Sequence, residues 1–230
     1  QNMIGNCSAD VVSSTVPCSN KWMIGTVNSF FIGFTSTFIA TTLGTMAALG
    51  LSRPHMPYKG LIMAILISPM IVPLIITAAG MFFFYARVNL VYTFTGVILA
   101  HVALATPFVV ITVTATLVGF DMNMVKASQS LGAKPMRTFF KVIMPLILPG
   151  IISGALFAFI TSFDEVVIVM FMASLDQLTI PKQMWAGIRQ EISPVILCMA
   201  TCLVALSIFL LTTVELLRRR SEKLRGIKAR

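Results

Sequence analysis

Apolar residues run through this chain in long blocks, without the two-residue alternation of barrel strands. Five blocks stand out, at Ser29–Leu51, Leu61–Tyr85, Tyr92–Val118, Leu146–Ala173 and Pro194–Leu217. Each is near the ~20 residues that cross a hydrocarbon layer as a helix. In lipid such a run must satisfy its own backbone hydrogen bonds, so the pattern predicts helices. Composition agrees: 57% of the 230 residues are hydrophobic and only 11% charged, and the mean hydropathy is +0.92. A soluble domain of this size needs more polar surface than that. The predicted class is an all-α integral membrane protein with five spans in this sequence.

Charge then orients the spans. Arg53 and Lys59 fall in the first loop, Lys126, Lys134, Arg137 and Lys141 in the third, and seven more basic residues in the tail 218–230. Only Lys21, Arg87, Lys182 and Arg189 fall on the other side. By the positive-inside rule the first and third loops and the C-terminus are cytoplasmic. The net charge of +9 is therefore a topology signal and not a nucleic-acid footprint. Three regions follow: an external segment 1–28, a transmembrane domain 29–217 with a cytoplasmic loop 119–145, and a basic cytoplasmic tail 218–230 that suits anionic lipid. The chain starts at Gln1, and its first 28 residues carry no secretory signal pattern. An external start of this kind leads us to expect a six-span parent whose first span precedes this sequence.

Several interruptions carry information. Pro69 and Pro73 in "ISPMIVPLI" predict a kink or a locally unwound second span, and Pro107 raises the same question for the third. The small residues of "STFIATTLGTMAALG" (36–50) allow close helix approach. Cys7 and Cys18 lie on the external side, as a disulfide or as two free thiols. Cys198 and Cys202 read as small packing residues, and His55 and His101 as isolated side chains.

Three stretches hold candidate function. The first is "KASQSLGAKPMRTFFKVIMP" (126–145), basic and without an acid. Ala127, Ser128, Leu131 and Gly132 give a short helix with one small face, Gly132 ends or bends it, and Pro145 opens the next span. The second is Asp164–Glu165 inside the fourth block. An acid at a helix centre costs about 2.5–3.5 kcal/mol on insertion scales, so the pair reads as a transient site for a cation, as a structural ion pair with a partner subunit, or as a helix-end acid at the interface. The third is the external segment holding Lys182, Met184, Trp185, Arg189 and Glu191, either a contact for an external protein or an interfacial helix anchored by Trp185. Asp121 suits a helix N-cap.

The loop resembles the cytoplasmic coupling loop of binding-protein-dependent ABC importer permeases. That pattern is Glu-Ala-Ala, three residues, Gly, nine residues, an aliphatic residue, one residue, Leu and Pro. Ala127 and Ser128 take the two alanines, Gly132 the glycine, Val142 the aliphatic position, Met144 the leucine and Pro145 the proline, while Lys126 stands where the family carries glutamate. "GFDMNMVKAS", "SFDEVVIVMF" and "TIPKQMWAGIRQEISP" extend the resemblance to the second permease subunit of spermidine/putrescine importers. The resemblance implies a type I ABC importer transmembrane domain in a bacterial inner membrane. It implies a second permease subunit, two ATP-binding subunits that carry ATP and Mg, and an extracytoplasmic substrate-binding protein. Lys126, Ala127, Ser128, Leu131, Gly132 and Pro145 would couple to the ATPase, Asp164 and Glu165 would line the path, and Trp185, Arg189 and Glu191 would meet the binding protein. The chain has no G-x-x-x-x-G-K-[ST] stretch, so no cofactor and no enzyme activity are expected of it. Polyamines are the expected cargo. Amino-acid derivatives, opines and ferric iron are alternatives within the family, and an ion-coupled secondary carrier is an alternative outside it.

Overall fold

The computed structural model describes residues 18–53, 56–118, 123–190 and 194–224, and all regular structure among them is helical. The order is α1 (Cys18–Leu51), α2 (Lys59–Ile71), α3 (Leu74–Arg87), α4 (Phe94–Val118), α5 (Asn123–Ser130), α6 (Pro135–Thr138), a π-helical turn (Phe139–Ile143), α7 (Met144–Phe163), α8 (Val167–Met172), α9 (Ile180–Gln190) and α10 (Pro194–Leu224). Four helical stretches are long and apolar enough to cross a membrane, and the bent α2–α3 pair makes a fifth.

Helix α4 is the hub. Thr93 starts it, its Oγ1 accepting the Gly96 N–H at 3.0 Å, as a good N-cap does. Valine, alanine and leucine then bury most of its surface against α1 and α7. The small residues expected to permit close approach do so. Ala40 and Ala48 are fully buried, and a Cβ added to Gly44 would lie 2.7 Å from the Val109 Cβ of α4. Ser36 also donates to the Ile98 carbonyl at 3.4 Å. Phe30, Phe34, Phe159 and Phe163 stack between α1 and α7, with ring centroids 5.0 Å apart for Phe30–Phe163 and for Phe34–Phe159. Most of α10 and the outer face of α1 stay exposed, which suits lipid or a second subunit.

The second block breaks where its prolines predict. Pro73 has no N–H and pushes the preceding residue to extended backbone; Val72 obeys, at ψ 136°. The axes of α2 and α3 differ by 103°. Pro69 lies within α2 and cannot donate to the Ile65 carbonyl four residues back. The Ser68 hydroxyl donates there instead, at 2.8 Å. Pro107, by contrast, interrupts nothing: α4 runs through it unbroken.

The fourth block departs from the sequence reading at both ends. Expected as one span from Leu146 to Ala173, it stops at Phe163 and resumes at Val167 as the short α8. At its start, Pro145 does not open the span. The helix runs back to Pro135, so the span covers Pro135–Phe163. Prolines 145 and 149 withhold two N–H donors, and the chain relaxes into a π turn just before them. There the Met144 N–H donates to Phe139 O, five residues back. The outer helices also exceed their apolar blocks: α1 starts at Cys18 instead of Ser29, and α10 continues to Leu224.

Candidate functional site

Two places gather the candidate residues, one at each end of the bundle. The first is the loop carrying α5. Its helix ends in a Schellman closure: Ala133 N–H donates to Ser128 O at 3.1 Å and Gly132 N–H to Gln129 O at 2.9 Å. That closure needs a left-handed residue, and Gly132 supplies it at φ 78°. Lys126, Ala127, Leu131 and Gly132 are exposed, Leu131 to 88%, and a Cβ added to Gly132 would meet nothing within 4 Å. Ser128 turns inward. Its hydroxyl donates to Val125 O at 2.8 Å and lies 3.0 Å from the Thr138 Oγ1, which is buried. Ser128 therefore fastens α5 to α6, while its neighbours form the open face. Pro145 sits beyond the π turn, inside the span.

The other place is the α7–α8 break. Asp164 is the C-cap of α7 and is exposed, whereas Glu165 is buried. One Glu165 carboxylate oxygen accepts the Ile168 N–H at 2.9 Å, capping the first turn of α8. A negative group is favoured there by the helix dipole. The α8 residues Ile168, Val169 and Met172 are buried against α3 and α4. Its C-terminal end is held twice: the Tyr92 N–H donates to Met172 O at 2.9 Å, and the Lys182 ammonium donates to Ala173 O at 2.8 Å. Half-burial pushes the Lys182 pKa below the ordinary lysine value.

The loop beyond α8 is stitched to α1. Asn28 Nδ2 donates to Asp176 O at 2.8 Å and Leu178 O at 3.0 Å, and Ile180 N–H donates to Ser29 Oγ at 2.9 Å. Helix α9 leaves Trp185 and Arg189 exposed on one face, the guanidinium carbon 5.6 Å from the indole centroid. Such a cation–π pair presents a flat amphipathic patch. Glu191 lies outside the described residues, as do Cys7, His55, Asp121 and the last residues of the basic tail, 225–230.

Sequence reading missed two parts of this arrangement. His101 is fully buried, its Nδ1 2.8 Å from the Ser162 Oγ across 61 residues of chain. Lys182 reaches back nine residues to close α8. Neither leaves a local signature. The Glu165 cap does leave one, an acid three residues ahead of an N–H that no helix would satisfy. Cys198 and Cys202 are free thiols, and among the described residues no group of His, Cys, Asp and Glu is placed to hold a metal.

Residues 40–223 match the family of binding-protein-dependent transport system inner membrane components, and the chain belongs to that family. It is thus a permease of an ABC importer, an integral membrane transport subunit and not an enzyme. As such it works with an ATP-binding subunit and a substrate-binding protein. The spermidine/putrescine transport system permease protein PotC of Haemophilus influenzae is 29% identical over 195 residues, spanning 85% of this chain and 76% of that protein. PotC of Escherichia coli K12 is 29% identical over 190 residues, covering 83% and 72%. The putrescine transport system permease protein PotI of E. coli K12 is 36% identical over 103 residues, covering 45% and 37%. Among solved structures, an inward-facing MetNI methionine ABC transporter chain superposes with TM-score 0.63 at 20% identity, covering 94% of this chain and all of that one. An alginate ABC importer gives 0.63 at 14%, covering 87% and 75%. These two show the fold alone.

Proposed function

We propose that this chain is the permease of a polyamine importer, working with a second permease subunit, two ATP-binding subunits and an extracytoplasmic binding protein. The observation that carries the reading is the likeness to PotC over more than four-fifths of the chain. The geometry is compatible with it. Asp164 offers one exposed carboxylate at the end of a broken span, where a polycation could exchange water for a charged partner. The exposed face of Lys126, Ala127, Leu131 and Gly132 is a surface against which an ATPase could push. Trp185 and Arg189 offer a patch for the loaded binding protein. In this reading the C-terminal tail and the α5 loop face the cytoplasm, and α9 faces outward. Opine, ferric-iron and amino-acid cargoes have no comparable support, and family membership leaves the stand-alone carrier without any.

The test is the assembled importer in liposomes. Its ATPase should be stimulated by binding protein loaded with putrescine or spermidine, and not with γ-aminobutyrate or ferric iron. Stimulation by either of the latter alone would remove the polyamine. Coupling has its own test. At φ 78° a β-branched side chain is strained by roughly 1–2 kcal/mol, yet among the described residues nothing lies within 4 Å of its Cβ. Gly132→Val should therefore cut stimulated ATPase and transport together, and Gly132→Asn, which tolerates that conformation, should spare both.

A further inference from the structure

Two acids sit side by side at the break, but they face different surroundings. The geometry points to a division of labour in which Glu165 and Lys182 are positioning residues that clamp α8 from its two ends, leaving Asp164 as the acid displayed to a cation. This rests on the transport reading for Asp164 only; the clamp stands on contacts within the chain.

Six residues, "VIVMFM", are too few to hold a helix by their own hydrogen bonds. No proline lies in 164–172 to fix where the break falls, so something else must stop α7 at Phe163 and restart the helix at Val167. The Glu165 carboxylate does so at the N-terminal end, accepting the Ile168 N–H at 2.9 Å. The Lys182 ammonium does so at the other end, donating to Ala173 O at 2.8 Å. The signs match the helix dipole at both ends, negative at the start and positive at the finish. Both groups are withdrawn from the surface, Glu165 buried and Lys182 half-buried, while Asp164 is exposed. The Tyr92 bond to Met172 O joins α8 to the turn before α4. Lys182 joins it to α9, so the external end of the bundle is tied together through one short helix.

The functional consequence concerns charge. A carboxylate already engaged by a backbone N–H has less to offer a passing cation, and its amide keeps the same acceptor oxygen. Glu165→Gln should retain the cap, whereas Glu165→Ala should lose it. Substituting Lys182 by Met should open the other end without touching any acid.

The experiment uses the full importer in liposomes with putrescine-loaded binding protein, with hydrogen exchange of the α8 amides measured alongside uptake. Glu165→Ala and Lys182→Met should raise α8 exchange about fivefold, the worth of one cap, and depress uptake. Glu165→Gln should leave α8 exchange at the wild-type level and uptake within about threefold of it, as expected where an acceptor oxygen is preserved. Asp164→Asn should lower putrescine uptake about tenfold, the scale of one charge-assisted contact, with α8 protection intact. If Glu165→Gln costs as much uptake as Asp164→Asn with α8 still protected, Glu165 is itself a cargo ligand and the division is wrong. Unchanged α8 exchange in both Glu165→Ala and Lys182→Met would also overturn the clamp. Wild-type uptake in Asp164→Asn, with α8 loosened as expected in the other two, would retain the clamp and discard the cation path.

Discussion

Two apolar blocks of this protein are interrupted, and for different reasons. Between α2 and α3 the cause is covalent: Pro73 lacks a donor and disfavours helical backbone at Val72, and the axes diverge by 103°. Few side chains brace that corner. No residue of α2 is buried, and of α3 only Ala78 is. Between α7 and α8 no proline intervenes. The break is held by non-covalent contacts, with Glu165 at one end of α8, Lys182 at the other, and a buried apolar face between them. A proline favours its break through local backbone geometry, whatever packs around it. A clamped break can be released when its partners move, and it lies beside Asp164.

That contrast is open to direct attack. The largest effect is expected from Pro73→Ala. An alanine restores an N–H that can reach the Pro69 carbonyl and removes a cost of about 3 kcal/mol for continuing the helix. Spin labels at the exposed Ile65 and Phe83 should move apart in Pro73→Ala as α2 and α3 straighten, by pulsed electron–electron resonance. An unchanged distance would mean that packing, and not proline, sets the corner.

Next in size is Ser162→Ala, in the last turn of α7. It strips His101 of the partner for its Nδ1 in a fully buried setting. An orphaned buried polar group costs about 1–3 kcal/mol, so the thermal midpoint of the purified complex should fall. Ser162→Thr, which keeps the hydroxyl, should fall less. Equal midpoints for all three proteins would show that the bond does not anchor α7 to α4.

The smallest effect is expected from Pro107→Ala. Since α4 continues through Pro107 without a break, its replacement should leave inter-helix distances unchanged and shift the midpoint by less than either change above. A large rearrangement would expose α4 as bent in some other state.

What could be read from the chain alone follows a physical line. Hydropathy marks spans because burying apolar surface in lipid is additive along the sequence, so the five blocks were legible, although α1 and α10 outrun theirs. Proline geometry is local, and it located the α2–α3 corner at Val72–Pro73; at Pro107 the helix continues, because in a packed bundle a missing donor need not end a helix. Gly132 was legible as a stop for α5, since only its own φ decides it. The α5 loop also stood out by charge, with four basic residues and no acid in 126–145.

The rest depended on distance through space. That the fourth span starts at Pro135 and not Leu146 depends on a π turn absorbing two prolines. Ser128 looks like part of a small exposed face until Thr138, ten residues on, comes within 3.0 Å. The adjacent acids were visibly expensive in sequence, but their different fates, one exposed and one buried as a cap, were set by where α8 packs against α3 and α4. His101 joins Ser162, and Lys182 joins Ala173, only because the chain folds back on itself. The sequence by itself determined a membrane protein of helical spans, with a basic, acid-free loop and a costly acid pair. The tertiary structure decided which acid is free, because burial and hydrogen-bond partners are properties of neighbours in space.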